Sequence, residues 1–434
     1  MRLELRKVRI RDVRWGDVTK VEGGTLFIDR EEAVALVAEE TRFARVDLEL
    51  ARPGESVRII PVKDAIEPRV KIGDDGAPMG YFPGFCAPMD RAGEGRTLVL
   101  DGAAVVTCGP IVAFQEGFID MQGPGAVYTP FSATQNVILV VEPIDGLDPH
   151  AYERILREAG LKLAVHIAAR CAENGAGPAD EVVVYEKGTV HEEGKKFPDL
   201  PKVVYVCMNI TQGLLHDTYL YGSDIRPALP TLVHPNEVLD GAMVSGNCVS
   251  ACDKNTTWHH VHNPIVASLY ARHGTEINFL GVIPTQESTI MDGKLRAARM
   301  NLSIALELGA QGAIISEEGY GNPDSDLCLN AKYFEQAGIR TVVVSDEAAG
   351  TDGASQGLAD TTPEMIAFVS TGNVNEMLEV PAMERVIGCP EAIANLSGGS
   401  DESLRPDGSM FVEMQSITAS TTEIGYSRVG CEWV

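Results

Sequence analysis

NPIVASLYARHGTEINFLGVIP, residues 263–284, is the stretch whose reading decides the fold. Its first half has apolar residues at helical spacing, with Asn263 as cap, Pro264 at the first helical position and Gly274 as stop. Its second half, EINFLGVIP (276–284), is an apolar run of strand length. The alternation continues downstream. GKLRAARMNLSIALELG (293–309) reads as a helix and AQGAIIS (310–316) as a strand. DSDLCLNAKYFEQAG (324–338) is again a helix and IRTVVVSD (339–346) a strand. Such alternation predicts βαβ units, and so an α/β fold with a mainly parallel sheet flanked by helices in the C-terminal two-thirds. Upstream, NVILVVE (136–142) and KVVYVCMNI (202–210) read as further strands. Between them DPHAYERILREAGLKLAVHIAARCAENG (148–175) reads as a long amphipathic helix ending in Asn-Gly. The first 130 or so residues carry short alternating runs such as RVDLEL (45–50) and TLVLDGAAVVTC (97–108), punctuated by Gly and Pro. They predict a β-rich N-terminal region with one early helix near 29–40.

The 434 residues are enough for two or three cores. The formal charge of −26 argues against nucleic acid or an anionic membrane surface as partner, since either would be repelled. It suits small cationic or zwitterionic ligands, or basic proteins. MRLELRKVRIRDVRW (1–15) alternates apolar with charged residues and reads as a first strand, not a signal peptide. No apolar run approaches the length that spans a bilayer. Nine scattered cysteines do not form a secreted disulfide framework, so the expected setting is the cytoplasm with reduced thiols. No phosphate loop, H-E-x-x-H motif or G-x-S-x-G elbow is present.

GNCVSACDKN (246–255) is the chemically unusual stretch. Cys248, Cys252, His259 and His262 offer ligand types that suit zinc, and a zinc-dependent hydrolase or lyase using Cys248, Cys252 and His262 is one alternative. Their spacings differ from the common fingers, and His259, His260 and His262 could equally form a polar helix or loop edge. A second reading is self-cleavage. The Cys248 thiol can attack the carbonyl of Asn247, and elimination from the thioester leaves a dehydroalanine that hydrolyses to a pyruvoyl ketone. Gly246 permits the backbone geometry this needs. A ketone at a chain terminus is an electrophile that ordinary side chains do not offer.

MRLEL (1–5), ARPGESVRI (51–59), PVKDAIEPRVK (61–71), GFIDMQGPGA (117–126), TQGLLHDTYLYG (211–222), DGAMVSGNCVSACDKN (240–255), LYARHGTEINFLGV (269–282), EEGYGNPDSDL (317–327) and GTDGASQGLAD (350–360) occur in one order along the whole chain. In these blocks the sequence resembles the alpha/beta-subunit proprotein of component B of glycine, sarcosine and betaine reductases. D-proline reductase proproteins are more distant relatives, and a D-proline-reductase-like pyruvoyl subunit is another alternative. The resemblance implies an oxidoreductase component cleaved between Asn247 and Cys248, with Cys248 becoming the pyruvoyl cofactor. The fragments would have 247 and, from the 434-residue total, 187 residues. The expected division is a β-rich domain 1–135, an α/β region 136–247 ending at the cleavage site, and an α/β domain 248–434 starting with the pyruvoyl group. The implied partners are a selenocysteine-containing gamma subunit, selenoprotein A, component C and a thioredoxin-type reductant, in a hetero-oligomer. The implied reaction is reductive C–N cleavage of a small amino acid, giving acetyl phosphate and ammonia or an amine.

Around the site, Lys254 or a histidine could polarise the ketone or accept a proton, or simply lie in a solvated loop. His216, with Asp217 beside it, is the more distant acid/base candidate, or a structural histidine in a turn. In open parallel sheets ligands gather at the carboxyl ends of strands. Glu317 and Glu318 follow one predicted strand; Asp346 ends another, ahead of the glycine-rich loop that holds Asp352. These carboxylates could hold a substrate ammonium while loop amides hold its carboxylate, or they could cap the following helices.

Overall fold

In a computed structural model, residues 1–88, 92–111, 117–211, 218–246 and 255–424 are described. The chain is mixed α/β with several sheets. One is five-stranded and wholly parallel, in the order Asn278–Glu287, Lys202–Ile210, Gly312–Ser316, Arg340–Glu347 and Phe368–Asn373. Lys202–Ile210 lies inside this sheet although it precedes the other four in sequence. Its side chains alternate between two cores. Val204, Val206 and Met208 join one with Leu327 and Phe334, and Tyr205 and Cys207 join the other with Ile265 and Leu269. Both faces are covered, which is why this strand reads as a nearly continuous apolar run.

The helices form where the local chemistry starts and stops them. Pro264–Arg272 is capped by Asn263, whose Oδ1 accepts from Val266 N at 3.0 Å, and Gly274 follows at φ 82°. Met291–Glu307 packs on Asn278–Glu287 and on the next helix, Asp324–Gln336. The 26-residue helix Pro149–Asn174 starts from Asp148 and ends at Gly175, which has φ 87°. Its apolar side chains Ile155, Leu156 and Leu163 are buried in the largest N-terminal core. No described helix is long and apolar enough to cross a membrane.

The N-terminal part is rich in β-structure, with one early helix, Arg30–Ala38, capped by Asp29. A four-stranded sheet contains Arg2–Arg9. A six-stranded sheet joins Phe43–Ala51, Val57–Ile66, Ala103–Cys108, Gly117–Asp120 and Gln135–Pro143, with Arg385–Gly388 paired parallel to Val57–Ile66. Gln135–Pro143, which contains the run NVILVVE, pairs antiparallel with Phe43–Ala51 and parallel with Ala103–Cys108. Two features tie the halves of the sequence together. The strand Arg385–Gly388 completes an N-terminal sheet, and the strand Lys202–Ile210 sits within the C-terminal one.

Candidate functional site

His216, Asp217, Asn247, Cys248, Cys252 and Lys254 lie outside the described residues. Their flanks converge. The short strand Met243–Ser245 pairs antiparallel with Thr218–Leu220, and this sets Ser245, just ahead of the cleavage segment, opposite Thr218, just after the His216 segment. On the other side Ile210 N donates to Glu318 Oε2 at 3.1 Å, and Asn255 N donates to Glu318 Oε1 at 3.3 Å. One carboxylate therefore holds the chain ahead of segment 212–217 and the chain immediately after segment 247–254. Glu423 adds a second clamp: Asn255 Nδ2 donates to its Oε2 at 2.9 Å and Gly319 N to its Oε1 at 2.8 Å. Glu318 N in turn donates to Glu287 Oε1 at 3.1 Å.

The N-terminal sheet reaches the same place. Ser245 N donates to Thr257 Oγ1 at 3.0 Å, while the Thr257 amide and hydroxyl donate to the two oxygens of Asp64 at 2.9 and 2.7 Å. Buried carboxylates thus hold the backbone just after the cleavage segment directly, and that just before it through the Thr257 hydroxyl, and each accepts from donors that burial would otherwise orphan.

Glu317, Glu318, Glu287 and Asp346 all sit at the carboxyl ends of the parallel strands and are buried. Neither Glu317 oxygen makes a hydrogen bond of ordinary geometry among the described residues, although the Asp324 carboxyl lies close enough to act on it. Burial, reinforced by nearby Asp324, Glu287 and Asp326, pushes its carboxyl well above the ordinary range. Glu287 is pushed the same way by burial and by Asp326. Asp326, against which Lys294 is paired, is still pushed up to about 6 by burial. Asp346 accepts from Thr421 Oγ1 at 3.3 Å through Oδ2, and its Oδ1 has no partner among the described residues. Neither Glu317 nor Glu318 caps a helix: Asp324–Gln336 starts after Pro323, and a strand, not a helix, follows Arg340–Glu347.

Asp352 lies elsewhere. It is exposed and its Oδ1 accepts from Ala354 N at 3.0 Å within its own turn. The amides of Ala349 and Gly350 donate to Asn373 and Asn375, and those of Gly353 and Ser355 to loop carbonyls. These loop amides are occupied within the fold.

The histidines do not form a polar edge. His259 and His260 lie on the short helix Thr257–Val261 and are 0% and 2% exposed. Burial drives His259 well below its ordinary value and His260 down to about 4, so both are neutral near pH 7. His262 Nε2 lies 3.0 Å from Glu67 Oε2, and its ring stacks on Trp258 at 4.2 Å. Its ring is engaged in packing and an acid contact. Among the described residues no group of three or more His, Cys, Asp or Glu is placed to hold a metal ion.

The sequence reading missed Glu287, Asp64, Asn255 and Glu423. Glu287 could have been found by the same rule that picked Glu317, since it ends a parallel strand. Nothing local marks Asp64 or Glu423.

Comparison with known proteins gives a consistent picture. The profile described as glycine/sarcosine/betaine reductase component B subunits matches residues 1–432. The chain is 50% identical over 431 residues to glycine reductase complex component B subunits alpha and beta of Acetoanaerobium sticklandii, covering 99% of each. It is 49% identical over 429 residues to sarcosine reductase complex component B subunit alpha of Peptoclostridium acidaminophilum, again 99% of each. Identity falls to 23% over 369 residues with the D-proline reductase proprotein PrdA of A. sticklandii, covering 79% of this chain and 54% of that one. No solved structure matches. The chain belongs to the component B family of glycine, sarcosine and betaine reductases, and is thus an oxidoreductase component.

Proposed function

We propose that this chain is the pyruvoyl-bearing, substrate-activating component of a glycine-, sarcosine- or betaine-type reductase, matured by cleavage between Asn247 and Cys248. The observation that carries the reading is the shared clamp at Glu318. It draws the edges of the GNC segment and of the His216 segment to the acid-lined end of the parallel sheet, where ligands collect in folds of this kind. Two relatives' names support division of one chain into two: one joins subunits alpha and beta in a single sequence, the other is a proprotein.

The maturation balances with water alone. The Cys248 thiol adds to the Asn247 carbonyl, the peptide C–N bond breaks and a thioester forms. Loss of the Cys248 α-proton and cleavage of its Cβ–S bond leave the sulfur on Asn247 as a thiocarboxylate. Water then releases ammonia from the new terminus and a second water releases sulfide from Asn247, with no net oxidation or reduction. The ketone left at position 248 supplies an electrophile for an amine nitrogen. The fit on this chain's side is the set of buried groups around the segment, above all Asn255 Oδ1 and the Glu317 carboxyl, which make no hydrogen bond of ordinary geometry among the described residues.

In this proposal Glu317, Glu318 and Asp346 supply the negative field for the substrate ammonium. Glu317 has no ion pair among the described residues, and an arriving ammonium beside it favours its ionisation. His216 and Lys254 move protons at the substrate nitrogen. Reductive C–N cleavage falls to a selenocysteine-bearing gamma subunit. Selenoprotein A, component C and a thioredoxin-type reductant complete acetyl phosphate formation and turnover.

A carbonyl-reactive hydrazide tests the reading. It should label a fragment beginning at position 248, and Cys248→Ala should give an uncleaved, unlabelled chain. An active wild-type protein that takes up no hydrazide overturns it.

A further inference from the structure

The segment Ser416–Ile424, SITASTTEI, is buried at every residue, although two-thirds of it is polar or charged. It runs through the protein as a strap. Thr418 N donates to Phe118 O of the six-stranded sheet at 2.9 Å. Thr371 Oγ1, from the last strand of the parallel sheet, donates to Thr421 O at 3.1 Å, and Thr421 Oγ1 reaches Asp346 at 3.3 Å. Ala419 takes φ 70°, a left-handed conformation that a residue with a Cβ holds only when its surroundings impose it. The strap delivers Glu423, 0% exposed, to Asn255 and Gly319, 168 and 104 positions earlier in sequence. Burying a carboxylate is costly unless donors converge on it, and two described donors meet this one. One is the side chain of the first described residue after the cleavage segment.

From this we infer that Glu423 is a positioning residue for maturation. Its carboxylate fixes Asn255 and so sets the downstream end of segment 247–254, and cleavage between Asn247 and Cys248 waits until the strap 416–424 is seated. The inference rests on the cleavage proposed above and goes beyond it. It makes the reaction of an eight-residue segment depend on a buried side chain far downstream. A newly made chain keeps its Asn247–Cys248 bond until both halves have folded together, so no ketone forms on a half-assembled protein.

The test follows cleavage of full-length precursor made by cell-free translation, by intact mass against time, alongside thermal unfolding. Glu423→Ala and Asn255→Ala should each slow cleavage at least tenfold while unfolding cooperatively. The double variant should be no slower than the slower single one, because both remove the same contact. The exchange Asn255→Asp with Glu423→Gln swaps donor and acceptor at unchanged net charge, and should cleave faster than either single change. Wild-type rates in a folded Glu423→Ala chain overturn the inference. If Glu423→Ala does not fold, Asn255→Ala, which leaves the strap intact, decides: wild-type rates there also overturn it. A wild-type chain that never cleaves brings down the maturation proposal itself, an outcome distinct from both.

Discussion

Cleavage after Asn247 should not release two independent proteins. The strand Lys202–Ile210 would belong to the larger fragment, yet both of its neighbours, Asn278–Glu287 and Gly312–Ser316, would belong to the smaller. The smaller fragment in turn supplies Arg385–Gly388 to the sheet of the larger. Val204, Val206, Met208 and Ile210 are each no more than 2% exposed. At about 1.5–3 kcal/mol for each such side chain, this one strand contributes roughly 6–12 kcal/mol of apolar burial across the cut. Losing translational and rotational freedom on association opposes this by about 4–15 kcal/mol. The ladder hydrogen bonds and the two carboxylate contacts that span the cut, Thr257 to Asp64 and Ile210 N to Glu318, then add to the favourable side. The fragments should co-elute as one species on native size-exclusion chromatography at micromolar concentration, and separate in denaturing gels. Dissociation under native conditions would refute the intertwined topology.

Three further outcomes follow from individual groups. Glu318→Ala leaves the buried amides of Ile210 and Asn255 without this acceptor, at about 1–3 kcal/mol each, so thermal unfolding should shift down clearly, while Glu318→Gln, which keeps one acceptor, should shift less. A carboxyl raised in the folded state binds more protons folded than unfolded, so stability falls as pH rises from the unfolded value, near 4.5, through the raised folded one. Glu317→Gln should therefore raise the melting temperature at pH 7–8 and lose that advantage near pH 4; an equal shift at all pH values would contradict the buried-acid reading. His260 has the opposite sign: pushed down to about 4 from 6.5, it takes up protons on unfolding, and stability is lost as pH falls through that interval. His260→Gln should flatten the pH 4–6.5 limb of the melting curve, and an unchanged slope would contradict it.

The elements with strong local signals were legible in sequence. Asn263, Pro264 and Gly274 bound a helix, Asn-Gly ended the long helix near residue 175, and the apolar runs from 202 onward became the parallel sheet. The topological rule for strand ends placed Glu317, Glu318 and Asp346 at the carboxyl ends of parallel strands, and that is where they lie. Pairing across long distances in sequence was not legible. Nothing near 385–388 says that it adds to the strand Val57–Ile66, and nothing in SITASTTEI says that it is interior. The polar character of that strap points to the surface. Its burial becomes possible only because partners from Phe118, Asp346, Thr371 and Asn255 meet it. His259 and His260 misled for the same reason: their polarity suggested an edge, whereas the short helix beneath Phe131 packs them inside.

The central claim is that the chain is a precursor cut between Asn247 and Cys248. Intact-mass measurement of the protein purified from its native host tests it most directly. The account predicts two chains, of 247 residues and the remaining 187 of the 434, the smaller lighter than its encoded mass by the change from cysteine to a pyruvoyl terminus. A single uncut chain of 434 residues in fully active reductase would contradict it.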